Sequence, residues 1–225
     1  MTQQLVLDMG PAIVPALDNY LPGSNAQAIA ALRAIARGDR VHQFITLWGP
    51  KGSGKSHLVA AVGGNLLTPR SQRGAFERAQ QASLVVVDDV QSMDNLQQIG
   101  LFNLYNLARQ DSGKAIVAAC SVPVVQCPVR EDLRTRMAWG LVFGLSPLTD
   151  TQASSAIVAR AAQHGVSIAP DVAPYLMSRF ARDMGTLMRL IDALDKYSLQ
   201  TKRAITLPLV RELIAQQGQL GSQLP

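Results

Sequence analysis

Aromatic residues are scarce, at 5% of the 225 residues. A surface that holds nucleic acid by stacking bases needs aromatic platforms, so this scarcity argues against one. Cysteine is rarer still, with Cys120 and Cys127 alone. Neither has metal-ligand spacing or a neighbouring histidine, which argues against a zinc centre. Cys120 follows the apolar run Ala115 to Ala119 and reads as a small core residue. No apolar stretch has the length that crossing a bilayer requires. The amino-terminal residues include Asp8 and no basic stretch ahead of an apolar core, so they do not read as a secretory signal, and the expected location is the cytoplasm. His42, His57 and His164 do not cluster, and no Gly-x-Ser-x-Gly elbow or metal-binding histidine pair is present.

What is there suits a folded protein. Hydrophobic residues make up 48% of the chain and charged residues 16%, enough apolar material for a proper core. The formal charge of +5 fits contact with polyanions and fits equally a plain basic surface, because no Lys/Arg run is dense enough to form a tail. Residues 1–10 read as a loose tail. Residues 11–148 alternate short apolar strands with helical patterns, the signature of a parallel sheet with crossover helices. The strands are expected at Gln43 to Trp48, Leu84 to Val87, Ala115 to Ala119 and Leu141 to Phe143. The stretch between Asn65 and Gln81 is short, so a further strand there is expected to be missing or shrunken. Residues 149–225 read as wholly helical. Thr149 or Asp150 caps a helix ending near Gly165, Asp171 opens a second, Leu187, Leu190, Ile191, Leu194 and Tyr197 stripe a third, and Thr206 caps a short last one.

The segment Gly49-Pro50-Lys51-Gly52-Ser53-Gly54-Lys55-Ser56 fits the P-loop pattern at every fixed position. The glycines let backbone N–H groups turn inward around a β-phosphate. Lys55 reaches the β- and γ-phosphates, and Ser56 offers a hydroxyl to Mg²⁺. A strand enters the loop and a helix leaves it, adding its positive end to the phosphate site. Gly63 and Gly64 are expected to end that helix early, and His57 is expected to lie exposed on it. The run Leu84-Val85-Val86-Val87-Asp88-Asp89 reads as the partner strand with acids at its carboxyl end, where ligands of such sheets bind. Asp88 would hold Mg²⁺ through water, and Asp89 would orient the attacking water.

Together these pieces resemble the Hda family, whose members are related to DnaA within the AAA+ proteins. The resemblance spans residues 4–216 and implies an α/β AAA+ base with a P-loop, its parallel sheet flanked by helices, followed by a small all-α lid. It implies ADP or ATP with Mg²⁺ as ligands. Tyr20, Leu21 and Pro22 resemble the segment that lines the adenine; on the residues alone, Tyr20 to Asn25 is also compatible with an ordinary turn, with Ser24 or Asn25 as a helix cap. Arg130 to Gly140 resembles the family's box VII. The resemblance makes Arg136 an arginine finger toward a neighbouring subunit's ATP, whereas on charge pattern alone it could be a surface arginine or pair with Glu131 or Asp132. Gln4-Leu5-Val6-Leu7-Asp8-Met9 resembles the family's clamp-binding peptide, with Gln4, Leu5, Leu7 and Met9 as its anchors on the DNA polymerase III sliding clamp (beta).

The departures bear on activity. The acid expected at the sensor 1 position is Ser121, and the sensor 2 arginine aligns with Gly185; Arg182 or Arg189, about a turn away, could substitute, with Arg189 the residue assigned to the nucleotide. Intrinsic hydrolysis is therefore expected to be weak at most. The expected function is regulation of replication initiation: the chain docks on the DNA-loaded clamp, meets DNA through it, and stimulates ATP hydrolysis by DnaA. The chain is expected to lack DnaA's amino-terminal interaction domain and its helix-turn-helix domain. A homo-oligomer is left open. The alternative is a DNA-remodelling ATPase such as a helicase loader or truncated initiator; a small-molecule kinase is disfavoured because the helical block follows the sheet instead of interrupting it.

Overall fold

The computed structural model describes residues 15–163, 165–179 and 184–220. The clamp-type segment at residues 4–9, and Arg182, lie outside the described residues. The chain divides into two compact units that part between Pro147 and Leu148.

In the first unit the strands are β1 (Phe44–Trp48), β2 (Asn65–Leu67), β3 (Leu84–Val87), β4 (Ala115–Cys120) and β5 (Leu141–Gly144). They form one parallel sheet in the order β2-β3-β4-β1-β5. The helices are α1 (Ala26–Ala36), α2 (Lys55–Val62), α3 (Arg73–Ala79), α4 (Asn95–Gln110) and α5 (Glu131–Met137). Side chains alternate between the two faces of a strand, so each central strand feeds two cores. Ile45, Leu47, Val86, Val117 and Ala119 pack with Ile29 and Leu32 of α1 and Leu58 and Val59 of α2. Phe44, Val85, Val87, Ile116 and Ala118 pack on the other side with Phe76 of α3, Leu101 and Tyr105 of α4 and Leu133 of α5. Burial on both faces explains why β3 and β4 are written almost entirely in apolar residues. Each buried Leu, Ile or Phe contributes about 1.5–3 kcal/mol.

Polar residues enter this core only where they are satisfied. Thr46 on β1 is buried, and its hydroxyl donates to the Met137 carbonyl at 2.7 Å. The Gln43 amide, just ahead of β1, donates to the carbonyls of Ala108, Asp111 and Lys114, each at 2.9 Å. The strand begins at Phe44, one residue after the start at Gln43 expected from the sequence. β2 is present but shrunken to three residues, and α3 behind it to seven.

The second unit contains α6 (Asp150–Gln163), α7 (Val172–Arg179), α8 (Met184–Thr201) and α9 (Leu207–Leu220). Ile157, Leu176, Leu187, Leu190, Leu194 and Val210 meet in its core. Thr149 caps α6: its hydroxyl accepts from the Gln152 amide at 3.2 Å, and Gln152 Oε1 accepts from the Thr149 amide at 3.0 Å. Arg160 of α6 holds Asp192 of α8 through two nitrogens, each at 3.0 Å. The last helix is not short: it has 14 residues, because a good helix-forming run follows Pro208 in its first turn. Among the described residues no helix is long and apolar enough to cross a membrane.

A capping box sets the start of α4. Asp94 accepts from the Gln97 amide at 2.8 Å, and Gln97 Oε1 accepts from the Asp94 amide at 3.0 Å. The Asp94→Ala variant is expected to lose about 1 kcal/mol of stability. Urea unfolding should show this as a lower midpoint with an unchanged slope; an unmoved midpoint would mean that the cap contributes nothing.

Candidate functional site

Parallel pairing places Gly49 after β1, Asp88 and Asp89 after β3 and Ser121 after β4 on one edge of the sheet. β1 and β4 are in register from Phe44 opposite Ile116 to Trp48 opposite Cys120. The P-loop turns from Gly49 into α2, which ends at Val62 ahead of Gly63. Gly54 has φ +85°, and a Cβ there would lie 2.5 Å from the Tyr20 ring. A Cβ on Gly49 would lie 2.5 Å from the Leu145 carbonyl oxygen. Both positions therefore require glycine, one for its backbone conformation and both for close approach.

Lys55 folds over the loop. Its ammonium donates to the carbonyls of Gly49 at 2.6 Å and Pro50 at 2.9 Å. Burial lowers its pKa from the usual lysine value, and the nearby Asp88 and Asp89 carboxylates oppose that shift. The structure thus brings the lysine and the acidic strand end together. Ser56 is exposed, Ser53 is buried, and Lys51 and Gly52 lie exposed at the loop tip. Asp88 is half-buried, and its Oδ1 accepts the Asp89 amide at 3.0 Å.

Asp89 has φ +55°, a left-handed conformation that is uncommon outside glycine and that clusters at functional sites. Its carboxylate is met by Gln91, a residue that sequence reasoning passed over. The Gln91 Oε1 accepts from the Ser121 amide at 3.1 Å, so the amide nitrogen faces Asp89 Oδ1 and donates to it. Gln91 thereby ties the acid to the exposed sensor 1 position. A glutamine two residues past an acidic pair carries no signal in a single sequence.

Tyr20 holds the loop from its other side. Its hydroxyl donates to the Ser53 carbonyl at 2.9 Å and accepts from Asn25 Nδ2 at 2.8 Å. Asn25 is buried and also donates to the Ser146 carbonyl at 2.9 Å, while its Oδ1 accepts the Ser146 amide at 3.0 Å. Asn25 stands at the cap position of α1 but makes no capping bond, because its side chain is spent on this network. Neither Asn25 nor Ser146 stands out in the sequence as a site residue. Leu21 and Pro22 lie exposed beside Tyr20. His57 is half-buried and not exposed as expected, since its Nε2 reaches the Ala16 carbonyl at 3.0 Å.

Arg136 lies in the last turn of α5. Its guanidinium carbon is 4.5 Å from the centre of the Trp139 ring and 4.9 Å from that of Phe102. Its Nε donates to Asn106 Oδ1 at 3.2 Å. Phe102 and Asn106 are four residues apart on α4 and so share a face. Asp132 pairs with Arg130 at 2.8 Å, and the Arg136 charge acts on it without a salt bridge. Arg189 lies half-buried in α8, which Gly185 also joins.

Comparison with known proteins places this architecture. Residues 150–214 match the Hda lid domain family. An uncharacterized protein of Haemophilus influenzae is 32% identical over 231 aligned positions, covering 95% of this chain and 99% of its own. Domain III of the replication initiation protein DnaA from Thermotoga maritima superposes with a TM-score of 0.68 at 19% identity, over 92% of this chain and 98% of that one. AMPPCP-bound DnaA from Aquifex aeolicus gives a TM-score of 0.63 at 19% identity, over 85% of this chain and 66% of that one. The base is thus a DnaA-like AAA+ fold, its helical unit matches a lid, and the two together support a DnaA-related replication regulator. The chain belongs to the Hda family of DnaA-related AAA+ proteins.

Proposed function

We propose that this protein binds ADP or ATP through its P-loop and, with the DNA-loaded sliding clamp, stimulates ATP hydrolysis by DnaA and so inactivates it. The observation that carries this reading is the arrangement of Arg136. Stacking and the Asn106 bond fix the guanidinium at its root, while its terminal nitrogens have no hydrogen-bond partner among the described residues. An arginine held in this way keeps its forked donors for an outside phosphate at little entropic cost. Arginine fingers of P-loop NTPases raise rates by about 10³–10⁵.

The chain's own nucleotide would sit on the P-loop amides, with Lys55 leaving the Gly49 and Pro50 carbonyls to meet phosphate. Tyr20, Leu21 and Pro22 would lie along the adenine. The oxygen donors suit a small hard cation: the Ser56 hydroxyl is exposed, and among the described residues only one Asp88 oxygen has a hydrogen bond. Ser56 and Asp88 would hold Mg²⁺, which neutralises charge on the β- and γ-phosphates. Asp89 would orient water, but Gln91 engages its carboxylate and Ser121 offers no acid, so hydrolysis in this chain's own site is weak. The nucleotide serves as a conformational switch. The AMPPCP held by the Aquifex DnaA supports an adenine nucleotide as the ligand. Gln4, Leu5, Leu7 and Met9 would fasten the chain to the clamp, and DNA is met through the clamp.

Two measurements test this. Reconstituted with ATP-loaded DnaA and the clamp on DNA, both Arg136→Ala and Gln4→Ala should abolish stimulated hydrolysis, while Arg136→Ala retains nucleotide affinity. A vigorous ATPase that needs single-stranded DNA and no DnaA would point instead to a DNA-remodelling enzyme. In the second, Gly54→Ala should weaken binding of a fluorescent adenine nucleotide at least about tenfold, because the added methyl drives Tyr20 off the loop at a backbone angle alanine resists. Wild-type affinity in that variant would refute the assigned cradle.

A further inference from the structure

Trp139 gathers a second cation besides Arg136. The guanidinium carbon of Arg109, an exposed residue in the last turn of α4, lies 4.7 Å from the centre of the ring. That of Arg136 lies 4.5 Å from it. Cation–π attraction accounts for each contact singly. It does not account for both together, since two like charges on one side chain repel each other. The carboxyl-terminal ends of α4 and α5 favour nearby cations but leave the N–H donors unspent. Among the described residues neither arginine is in a salt bridge: Asp111 pairs with Lys114, and Asp132 pairs with Arg130 and feels the Arg136 charge only at longer range. Arg109 makes no hydrogen bond within the described residues.

The surroundings leave room beside this pair. A cleft of about 380 Å³ opens at the amino end of β1, lined by Val41, His42, Phe44, Arg109, Trp139 and Gly140. It carries no carboxylate. Phe44 braces the tryptophan from beneath, with ring centres 5.7 Å apart. Phe102, Asn106 and Arg109 follow one another at spacings of four and three on α4, so a single helix face presents the brace, the anchor and the second cation.

We propose that Arg109 is a second phosphate-binding residue, acting beside Arg136 on the triphosphate carried by an adjoining AAA+ subunit, with Trp139 as the positioning residue for both. This rests on the reading of Arg136 given above. Two guanidiniums on one ring, neither in a salt bridge among the described residues, match a ligand with several negative charges close together, and a triphosphate matches better than a diphosphate because it carries more charge. In the hydrolysis, a water oxygen bonds to the γ-phosphorus, the bond from phosphorus to the β–γ bridging oxygen breaks, ADP leaves with the bond's electron pair, and the water's protons pass to the released phosphate and to solvent. Arg109 bears on the charge that gathers on the phosphates during this step; it neither gives nor takes a proton.

The test uses the full chain with DnaA and the clamp on DNA. Arg109→Met keeps an apolar stem against Trp139 but removes the charge. It should slow stimulated hydrolysis about tenfold, a modest share of what a whole arginine finger supplies. Arg109→Lys should recover part of that loss. Binding to AMPPCP-loaded DnaA should weaken in Arg109→Met while binding to ADP-loaded DnaA stays unchanged, a difference that loss of packing would not produce. Trp139→Leu should impair Arg109 and Arg136 together and so approach the Arg136→Ala rate. The proposal is overturned if Arg109→Met leaves both the rate and the AMPPCP preference at wild-type values while Arg136→Ala abolishes stimulation. If Arg136→Ala itself leaves stimulation intact, the underlying reading fails, and this one fails with it.

Discussion

Parallel pairing of β1 with both β4 and β5 makes Gly49, Ser121 and Leu145 leave the sheet on the same edge. The adjoining β3 adds Asp88 and Asp89 to that edge. A parallel sheet has no other way to place its strand ends, and its buried faces cannot tolerate these polar groups. Charged side chains, turning loops and the amide-rich start of α2 are therefore concentrated where water, or a phosphate, can satisfy them. The coupling of Lys55 to both aspartates follows from strand order. No local signal around residue 55 or residue 88 would have required it.

The loop built on this edge is held from two sides. Leu145 continues the sheet with its amide on the Trp48 carbonyl at 2.7 Å, just ahead of Ser146. Ser146 is bound twice by Asn25, which also holds the hydroxyl of Tyr20. Tyr20 in turn covers Gly54 and bonds the Ser53 carbonyl. The segment before α1 and the segment after β5 therefore meet through one buried amide side chain. An uncompensated loss of that amide would leave two backbone groups and a phenol short of partners, each costing about 1–3 kcal/mol if buried. Burial accordingly raises the Tyr20 pKa from the usual tyrosine value, against the opposing effect of the Asn25 bond. The phenol stays neutral and remains a donor to the loop.

Much of this was legible in the sequence, and the rest was hidden for identifiable reasons. Continuous apolar runs disclosed β1, β3 and β4 because strands buried on both faces need them. The P-loop was legible because phosphate binding fixes residue types at short spacing. The shrunken β2 was legible as a matter of length. Asn25, Gln91, Asn106 and Ser146 were not. Each acts by a hydrogen bond to a residue distant in sequence or to a backbone group, and polar residues of these kinds are common on any surface. Asn25 even misled, because Asn before a helix reads as a cap; here a tertiary network outbids the local one. His57 differs from its expected exposure in the same way, since it is half-buried beside a partner forty-one residues away.

Arg136 shows what such hidden partners achieve. A free arginine side chain has about 2 kcal/mol of rotamer entropy to lose when it grips a ligand. Phe102, Trp139 and Asn106 take up much of that loss during folding, where the hydrophobic core of α4 and α5 offsets it. On the proposed reading, the residue would meet phosphate with its geometry already set, leaving more of the interaction energy to act on the transition state. The same proposal accounts for positioning residues that lie on α4 and after α5 instead of beside the P-loop. A group that serves another subunit's nucleotide must be rigid relative to its own sheet and remote from its own phosphate site. Trp139, whose ring packs on Phe44 at the amino end of β1, meets the first condition, and the length of that strand, which ends at the P-loop, meets the second.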